Sequence, residues 1–173
     1  GDSGEIRWSR TAGSGYQPGD DAGSSLVLHD RSNYASPSPV SDGERAVFFF
    51  GNGDLVCYGL DDGEVVWRKN IQQEYGDFAF QWPFSATPTL WEGRVVLPVL
   101  QRDEPVRGVG AEDAQSFLLA LDAKTGEQLY KVVRPSPAVV ESRESYATAI
   151  PYVGTDGRKE LIVMGGDVLT GHD

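Results

Sequence analysis

One short pattern occurs three times along the chain, and it constrains the fold more than any other feature. An aspartate is followed by a turn, a Gly-Glu pair, two further residues and a large aromatic residue. The three copies lie at residues 2–8, 61–67 and 122–130, at nearly even spacing. Self-similarity at regular spacing is the signature of a repeat architecture, so we expect three copies of one structural unit.

The repeated pattern describes a tight turn that leads into a strand. Glycine adopts the positive φ that a hairpin turn requires, and aspartate is favoured beside it because its carboxylate bonds the backbone of the turn. The glutamate and the aromatic residue are three positions apart, so they point to opposite faces of the next strand. We therefore expect the aromatic ring to pack between sheets while the glutamate remains in water.

Each unit also contains a segment of small residues and prolines that leads into an apolar position. These segments lie at residues 35–40, 85–90 and 146–151. Small side chains suit a place where backbones converge, and proline is tolerated in a strand that has one free edge. We expect these three segments to be the innermost strands of the units.

Apolar strands account for the rest of each unit. They are predicted at 46–50 and 55–60, at 95–100 and 117–121, and at 161–164. Two of them, 55–60 and 117–121, are apolar on both alternating faces, whereas a sheet with one solvated face would alternate. No helical segment separates these strands, so neighbouring sheets must cover them. The predicted fold class is all-β: a partial β-propeller of about three four-stranded antiparallel blades.

A family resemblance rests on Asp122, Thr125, Gly126 and Glu127, with Tyr130 in the place of a tryptophan. The pattern Asp-x-x-Thr-Gly-Glu-x-x-Trp resembles the repeat of the PQQ-like (quinoprotein-type) β-propellers, and the resemblance covers essentially the whole chain. It implies a bacterial exported protein, periplasmic or extracellular. We expect the chain to be a fragment with repeat periods of about 2–60, 61–121 and 122–173, within a ring of about seven or eight blades.

The resemblance implies two main functions. One branch of the family contains dehydrogenases that bind pyrroloquinoline quinone (PQQ) and calcium, with the quinone between a tryptophan and a disulfide of adjacent cysteines. The other branch contains non-catalytic propellers, including a scaffold of outer-membrane protein assembly. Cys57 is the one cysteine of this sequence. We therefore expect a non-catalytic interaction or scaffold module of the bacterial cell envelope with no evident cofactor. The alternative is part of a PQQ-dependent alcohol or sugar dehydrogenase, and a sensor domain is a third class.

The charge balance narrows the class of partner. A net charge of −11 argues against nucleic acid and against docking on an anionic membrane surface. No stretch is long and apolar enough to insert into a bilayer. The paired aspartates at 20–21 and 61–62 lack the spacing of a calcium loop, and His29 and His172 lack that of a metal site. The expected partners are a protein and the remaining blades of the same propeller.

The candidate contact site lies within an insertion. The units exceed a minimal blade of about 40–50 residues, and the excess at 11–25, 70–83 and 101–116 is predicted to form surface loops. Directly before the second small-residue segment, aromatic residues fall on every second position. We expect this stretch to lie near a mouth of the central channel, where Phe80, Gln81 and Trp82 contact a ligand or a partner. The alternative is that the rings pack beneath a neighbouring loop.

Overall fold

Three antiparallel sheets follow one another along the chain in the computed structural model, which describes residues 3–19 and 32–173. The first sheet contains β1 (Val40–Ser41), β2 (Arg45–Phe49), β3 (Asp54–Gly59) and β4 (Val65–Asn70). The second contains β5 (Thr89–Trp91), β6 (Arg94–Val99), β7 (Phe117–Asp122) and β8 (Gln128–Val133). The third contains β9 (Ile150–Val153), β10 (Lys159–Gly165) and β11 (Val168–His172). Within each sheet the strands pair in chain order, which confirms the predicted partial propeller.

The strands of the second sheet contact a different neighbour on each face. Leu97 and Leu119 belong to the core between the first and second sheets, whereas Val96 and Leu118 belong to the core between the second and third. This is the reason that β6 and β7 are apolar at successive positions rather than at alternating ones. The inference of face-to-face stacking is therefore confirmed for the apolar run at 117–121.

The meander order gives the sheets two dissimilar ends. The turns β1–β2, β3–β4, β5–β6, β7–β8 and β9–β10 lie at one end, which we call the turn end. The connections β2–β3, β4–β5, β6–β7, β8–β9 and β10–β11 lie at the other end, which we call the loop end. The Asp-Gly turns of the repeat are at the turn end, and the insertions 70–83 and 101–116 are at the loop end.

The repeated aromatic residue joins one blade to the next. The Nε1–H of Trp67 donates to the carbonyl oxygen of Ala123 in the second sheet's turn (2.9 Å). The ring of Trp67 lies over Gly126, where a Cβ would come within 2.7 Å of it. Trp8 covers Gly63 in the same way. The turn glycine is therefore needed for its positive φ and for the space that the ring of the preceding repeat occupies.

The small-residue segments are not strands over most of their length, which corrects the sequence prediction. Regular pairing begins only at Val40, Thr89 and Ile150. The prolines of these segments lack the N–H that a ladder requires. Successive segments form hydrogen bonds to one another instead. The Ser38 N–H donates to Thr87 Oγ1 (3.0 Å), and Thr89 Oγ1 donates to the carbonyl oxygen of Ala149 in the third segment.

The prediction that residues 70–83 form a surface loop was wrong. A short helix, α1 (Ile71–Tyr75), follows β4 and is capped by the Asn70 side chain, which accepts from the Gln73 N–H (3.0 Å). The prediction that no helical segment lies between the strands is corrected by the same helix. A single 3₁₀ turn, Val140–Arg143, lies between β8 and β9. In the connection that follows β4, Ile71, Phe78 and Phe80 are buried and cover the loop end of the first core, so much of this segment is not solvated. The insertion 11–25 lies partly outside the described residues.

Candidate functional site

The aromatic stretch at the loop end is divided between the core and the surface. Phe80 is 3% exposed and packs with its ring centroid 5.1 Å from that of Phe84 and 5.4 Å from that of Tyr146. Phe78 lies in the same cluster, 5.3 Å from Phe84. These three phenylalanines fill the first core from the loop end. The structure thus places Phe80 beneath the surface and leaves Gln81 and Trp82 to meet solvent.

Gln81 is held by a buried carboxylate. Its backbone N–H donates to Glu144 Oε1 (3.0 Å), to which Arg102 Nε also donates (2.5 Å). The Tyr146 hydroxyl donates to the other oxygen of Glu144 (2.9 Å), and the Glu144 side chain is 2% exposed. Burial, the bond to Glu144 and its charge raise the pKa of Tyr146. Because three donors satisfy this carboxylate, Gln81 is fixed in position.

Trp82 is the exposed ring of the stretch. It is 45% exposed, and the Arg107 guanidinium carbon lies 5.8 Å from the ring centroid. Arg107 and Gly108 form the tip of a two-residue hairpin in which Val106 and Val109 exchange both backbone hydrogen bonds (2.8 and 3.0 Å). Both tip residues have positive φ, 53° and 81°, which is the pattern of a type I′ turn. The two valines are buried, so the hairpin is anchored and presents Arg107 over the indole.

A small cavity of about 220 Å³ adjoins Trp82. It is lined by three hydroxyl groups, one amide, a proline ring and the indole: Ser32, Ser36, Ser85, Asn33, Pro83 and Trp82. Among these described lining residues none is charged. The arrangement can hold a flat apolar group against the indole and donate hydrogen bonds to polar atoms at its edge.

The described residues do not supply the quinone site that the family resemblance implies for its dehydrogenase branch. Cys57 is fully buried on β3, with its Sγ 3.9 Å from the carbonyl oxygen of Ala123. Burial raises the pKa of the Cys57 thiol to about 11, so it is an inert core residue. Within the described ranges, no group of three histidine, cysteine or acidic side chains is placed to hold a metal ion.

The remaining polar candidates have structural partners. Asp62 Oδ1 accepts from the Glu64 N–H (2.9 Å), and Asp122 Oδ1 accepts from the amides of its own turn. His172 Nε2 lies 2.9 Å from Thr170 Oγ1. His29 and the aspartates at 20–21 lie outside the described residues.

Sequence reasoning did not find Arg102, Glu144 or Arg107. The bond between Arg102 and Glu144 joins residues 42 positions apart, so no local pattern marks it. Arg107 carried a readable signal, because an x-Gly pair between two valines is typical of a two-residue hairpin. The insertion 101–116 was instead predicted to be a surface loop.

Three solved structures are similar to parts of this chain. A europium-containing methanol dehydrogenase matches 58% of this chain and 15% of its own (12% identity, TM-score 0.43). The quinohemoprotein alcohol dehydrogenase ADHIIG from Pseudomonas putida HK5 matches 58% and 14% (12% identity, TM-score 0.39). BamB from Moraxella catarrhalis matches 82% of this chain and 38% of its own (13% identity, TM-score 0.37). The chain therefore spans well under half the length of each of these structures.

Further findings concern the helices and the comparison of the sequence with known sequences and families. No curated protein sequence matches this chain. In the part of the chain that the structure describes, no helix has the length and apolarity needed to cross a membrane. A family model of PQQ-like repeats, described as outer membrane protein assembly factor BamB, matches residues 1–171. With the repeated turn, the Trp-on-Gly joints and the stacked sheets in place, the chain belongs to this PQQ-like repeat (BamB) propeller family.

Proposed function

We propose that this chain is part of a non-catalytic interaction or scaffold propeller of the bacterial cell envelope, periplasmic or extracellular, and that it binds a protein partner at its loop end. The observation that carries the proposal is the exposed Trp82, the one ring of a buried aromatic stretch that meets solvent. Exposed tryptophan and arginine side chains on a rigid support are typical anchors of protein interfaces. The description of the family as an assembly factor supports the same role.

The support beneath Trp82 favours binding without rearrangement. Phe80 anchors the stretch in the core, and Gln81 is tied to the buried Glu144 through its backbone. A contact residue that is already ordered loses little conformational entropy on association, and this improves affinity. In this proposal Phe80 and Gln81 position the contact, and Trp82 makes it.

The residues that define the family act in packing, which favours a non-catalytic role. Among the described residues, the Asp and Gly of the repeat form the turn and its Trp forms the joint between blades, as at Trp67 and Gly126. Their hydrogen-bonding groups are used within the fold. The dehydrogenase alternative depends on a quinone site to which the described residues contribute no cysteine pair.

Site-specific photocrosslinking of the full-length protein in its native envelope tests the proposal. A photoreactive phenylalanine analogue replaces Trp82 in one variant and Leu129 in a matched control, since Leu129 on β8 is 49% exposed. We expect a discrete protein adduct from position 82 and none from position 129. The proposal is contradicted if position 82 gives no adduct, or if the purified protein reduces a dye with PQQ, calcium and an alcohol.

A further inference from the structure

We infer that the Trp82 surface binds an extended, proline-containing peptide segment whose proline lies against the indole and whose neighbouring carboxylate pairs with Arg107. This inference rests on the proposed function and specifies the chemistry of its partner. It is carried by three observations: an exposed ring, a small cavity with neutral hydrogen-bonding groups, and an arginine held over the ring.

The cavity beside Trp82 matches a proline in a polyproline II segment. Its volume of about 220 Å³ admits one small ring, and Pro83 and the indole provide the apolar walls. A polyproline II segment has no internal hydrogen bonds, so its carbonyl oxygens are free to accept from a binding surface. The hydroxyls of Ser36 and Ser85 and the amide of Asn33 are donors of this kind. An aromatic surface with such donors is the recurring way in which proteins recognise these segments.

Arg107 supplies the charge preference. Arg102 forms an ion pair with Glu144, and Arg143 Nη1 lies 3.2 Å from Asp103 Oδ2. These two cations of the loop end are therefore neutralised. Arg107 is exposed, and within the described residues it forms no ion pair. A guanidinium that is stacked on a ring and free of a counter-ion favours a carboxylate on the incoming segment.

The backbone conformation of Arg107 also supports a role for its side chain. Its φ of 53° lies in the left-handed region, which asparagine and glycine adopt more readily than arginine. The turn alone therefore does not account for an arginine at this position, whereas a role for its side chain does. A neutral sugar ring would also fit between the indole and the hydroxyls, but it would leave Arg107 without a partner.

Fluorescence anisotropy of the full-length protein with a labelled peptide tests the inference. The probe is a ten-residue peptide of alternating alanine and proline with one central aspartate. We expect saturable binding that Trp82→Ala weakens by about tenfold or more, while Trp82→Phe retains most of it. Leu129→Ser, a change at an exposed site on β8, should leave the affinity unchanged. Circular dichroism spectra of the variants establish that each remains folded.

A double-mutant cycle identifies the carboxylate contact. Arg107→Asn keeps a residue that tolerates positive φ and removes the charge. We expect Arg107→Asn to weaken binding about as much as an Asp-to-Asn change in the peptide, and the two changes together to cost no more than either alone. Additive losses would overturn the pairing with Arg107.

The competing outcomes are separable. Lack of saturable peptide binding, or binding that Trp82→Ala does not weaken, overturns the inference. So does binding of an N-acetylglucosamine trisaccharide that depends on Trp82 when the peptide does not bind. If the peptide fails while photocrosslinking from position 82 persists, the partner chemistry is wrong and the proposed function stands. If the crosslink also fails, the proposed function fails with it.

Discussion

The joint between the first and second sheets differs from the joint between the second and third. At the first joint the repeat places Trp67 on β4, and its ring lies on Gly126. At the second joint the equivalent position is Tyr130, which is only partly buried against the second core. Arg134, which directly follows β8 and is 2% exposed, also lies at this second joint, where it contacts the third sheet. One joint is thus aromatic and apolar, and the other contains a buried cation.

Arg134 reaches into the third sheet with most of its donors. Its guanidinium donates to the carbonyl oxygens of Gly165 (2.8 Å) and Val168 (2.7 Å), and its Nε donates to Thr170 Oγ1 (3.1 Å). Burial lowers the pKa of Arg134, but an arginine remains charged at neutral pH. All of these partners are neutral groups of the β10–β11 hairpin. Neighbouring blades are therefore joined in two different ways, by an indole over a glycine at the turn end of the first joint and by hydrogen bonds from an arginine to backbone carbonyls at the loop end of the second.

The largest effect is expected from removing the ring of the first joint. Trp67→Ala should lower the free energy of unfolding by about 3–5 kcal/mol, because a buried indole and its hydrogen bond are lost and a cavity remains. Urea denaturation measures the change. Trp82→Ala is the matched control, and we expect it to cost below about 1 kcal/mol since that ring is already half exposed. Equal losses for the two variants would contradict the assignment of Trp67 to packing and Trp82 to contact.

The second joint is tested at Arg134. Arg134→Met keeps much of the apolar volume but removes the buried hydrogen bonds that Arg134 donates to the Gly165 and Val168 carbonyls, so we expect a loss of about 3 kcal/mol. The control is Arg158→Met, which breaks an exposed ion pair with Glu160 (3.2 Å) and should cost about 0–1 kcal/mol. The same denaturation experiment compares them. If the two arginine variants are equally stable, the buried guanidinium does not stabilise the joint.

A glycine pair isolates the contribution of ring contact at the first joint. Gly126 and Gly157 both have positive φ, 73° and 81°, so an alanine is strained at either. A Cβ at position 126 meets the Trp67 ring at 2.7 Å, whereas one at position 157 meets nothing within 4 Å. We expect Gly126→Ala to destabilise by about 1–3 kcal/mol more than Gly157→Ala. A thermal denaturation series that ranks the two variants equally would show that the ring moves aside.

The sequence predicted the first joint and not the second, for a physical reason. The turn, the glycine and the aromatic residue are close in sequence and of specific types, so the pattern at Trp67 was readable. The replacement of tryptophan by Tyr130 was also visible. The bonds of Arg134 were not visible, because Arg134 bonds to backbone carbonyls about 30 positions away, and carbonyls are present at every residue.

At the candidate site, too, one part could be predicted from local sequence and another part depended on distant contacts. The alternation of aromatic residues at 78–84 identified the stretch, but the choice between core and surface depended on contacts that lie far away in sequence. Tyr146 covers Phe80, and Glu144 holds Gln81. Trp82 is 45% exposed, with Arg107 over one part of its ring. Local pattern therefore located the stretch, and tertiary packing decided which of its residues face solvent.

The smallest effect is expected from the pH dependence of stability, which should differ between the first sheet and the second joint. Burial alone would raise the pKa of Asp54, but hydrogen bonds from Ser14, Asn70 and Asn52 outweigh it and the pKa is lowered. A carboxylate with a lowered folded pKa stabilises the fold above its unfolded pKa of about 3.9, and this stabilisation is lost as the pH falls through the folded value. Asp54→Asn should therefore be less stable than the unmodified chain at pH 7, and the gap should narrow below about pH 4. Arg134→Met should keep its gap over the same range, since its carbonyl partners do not titrate. Urea midpoints measured at several pH values decide between these outcomes, and a gap for Asp54→Asn that is constant with pH would remove Asp54 as the source of acid sensitivity in the first sheet.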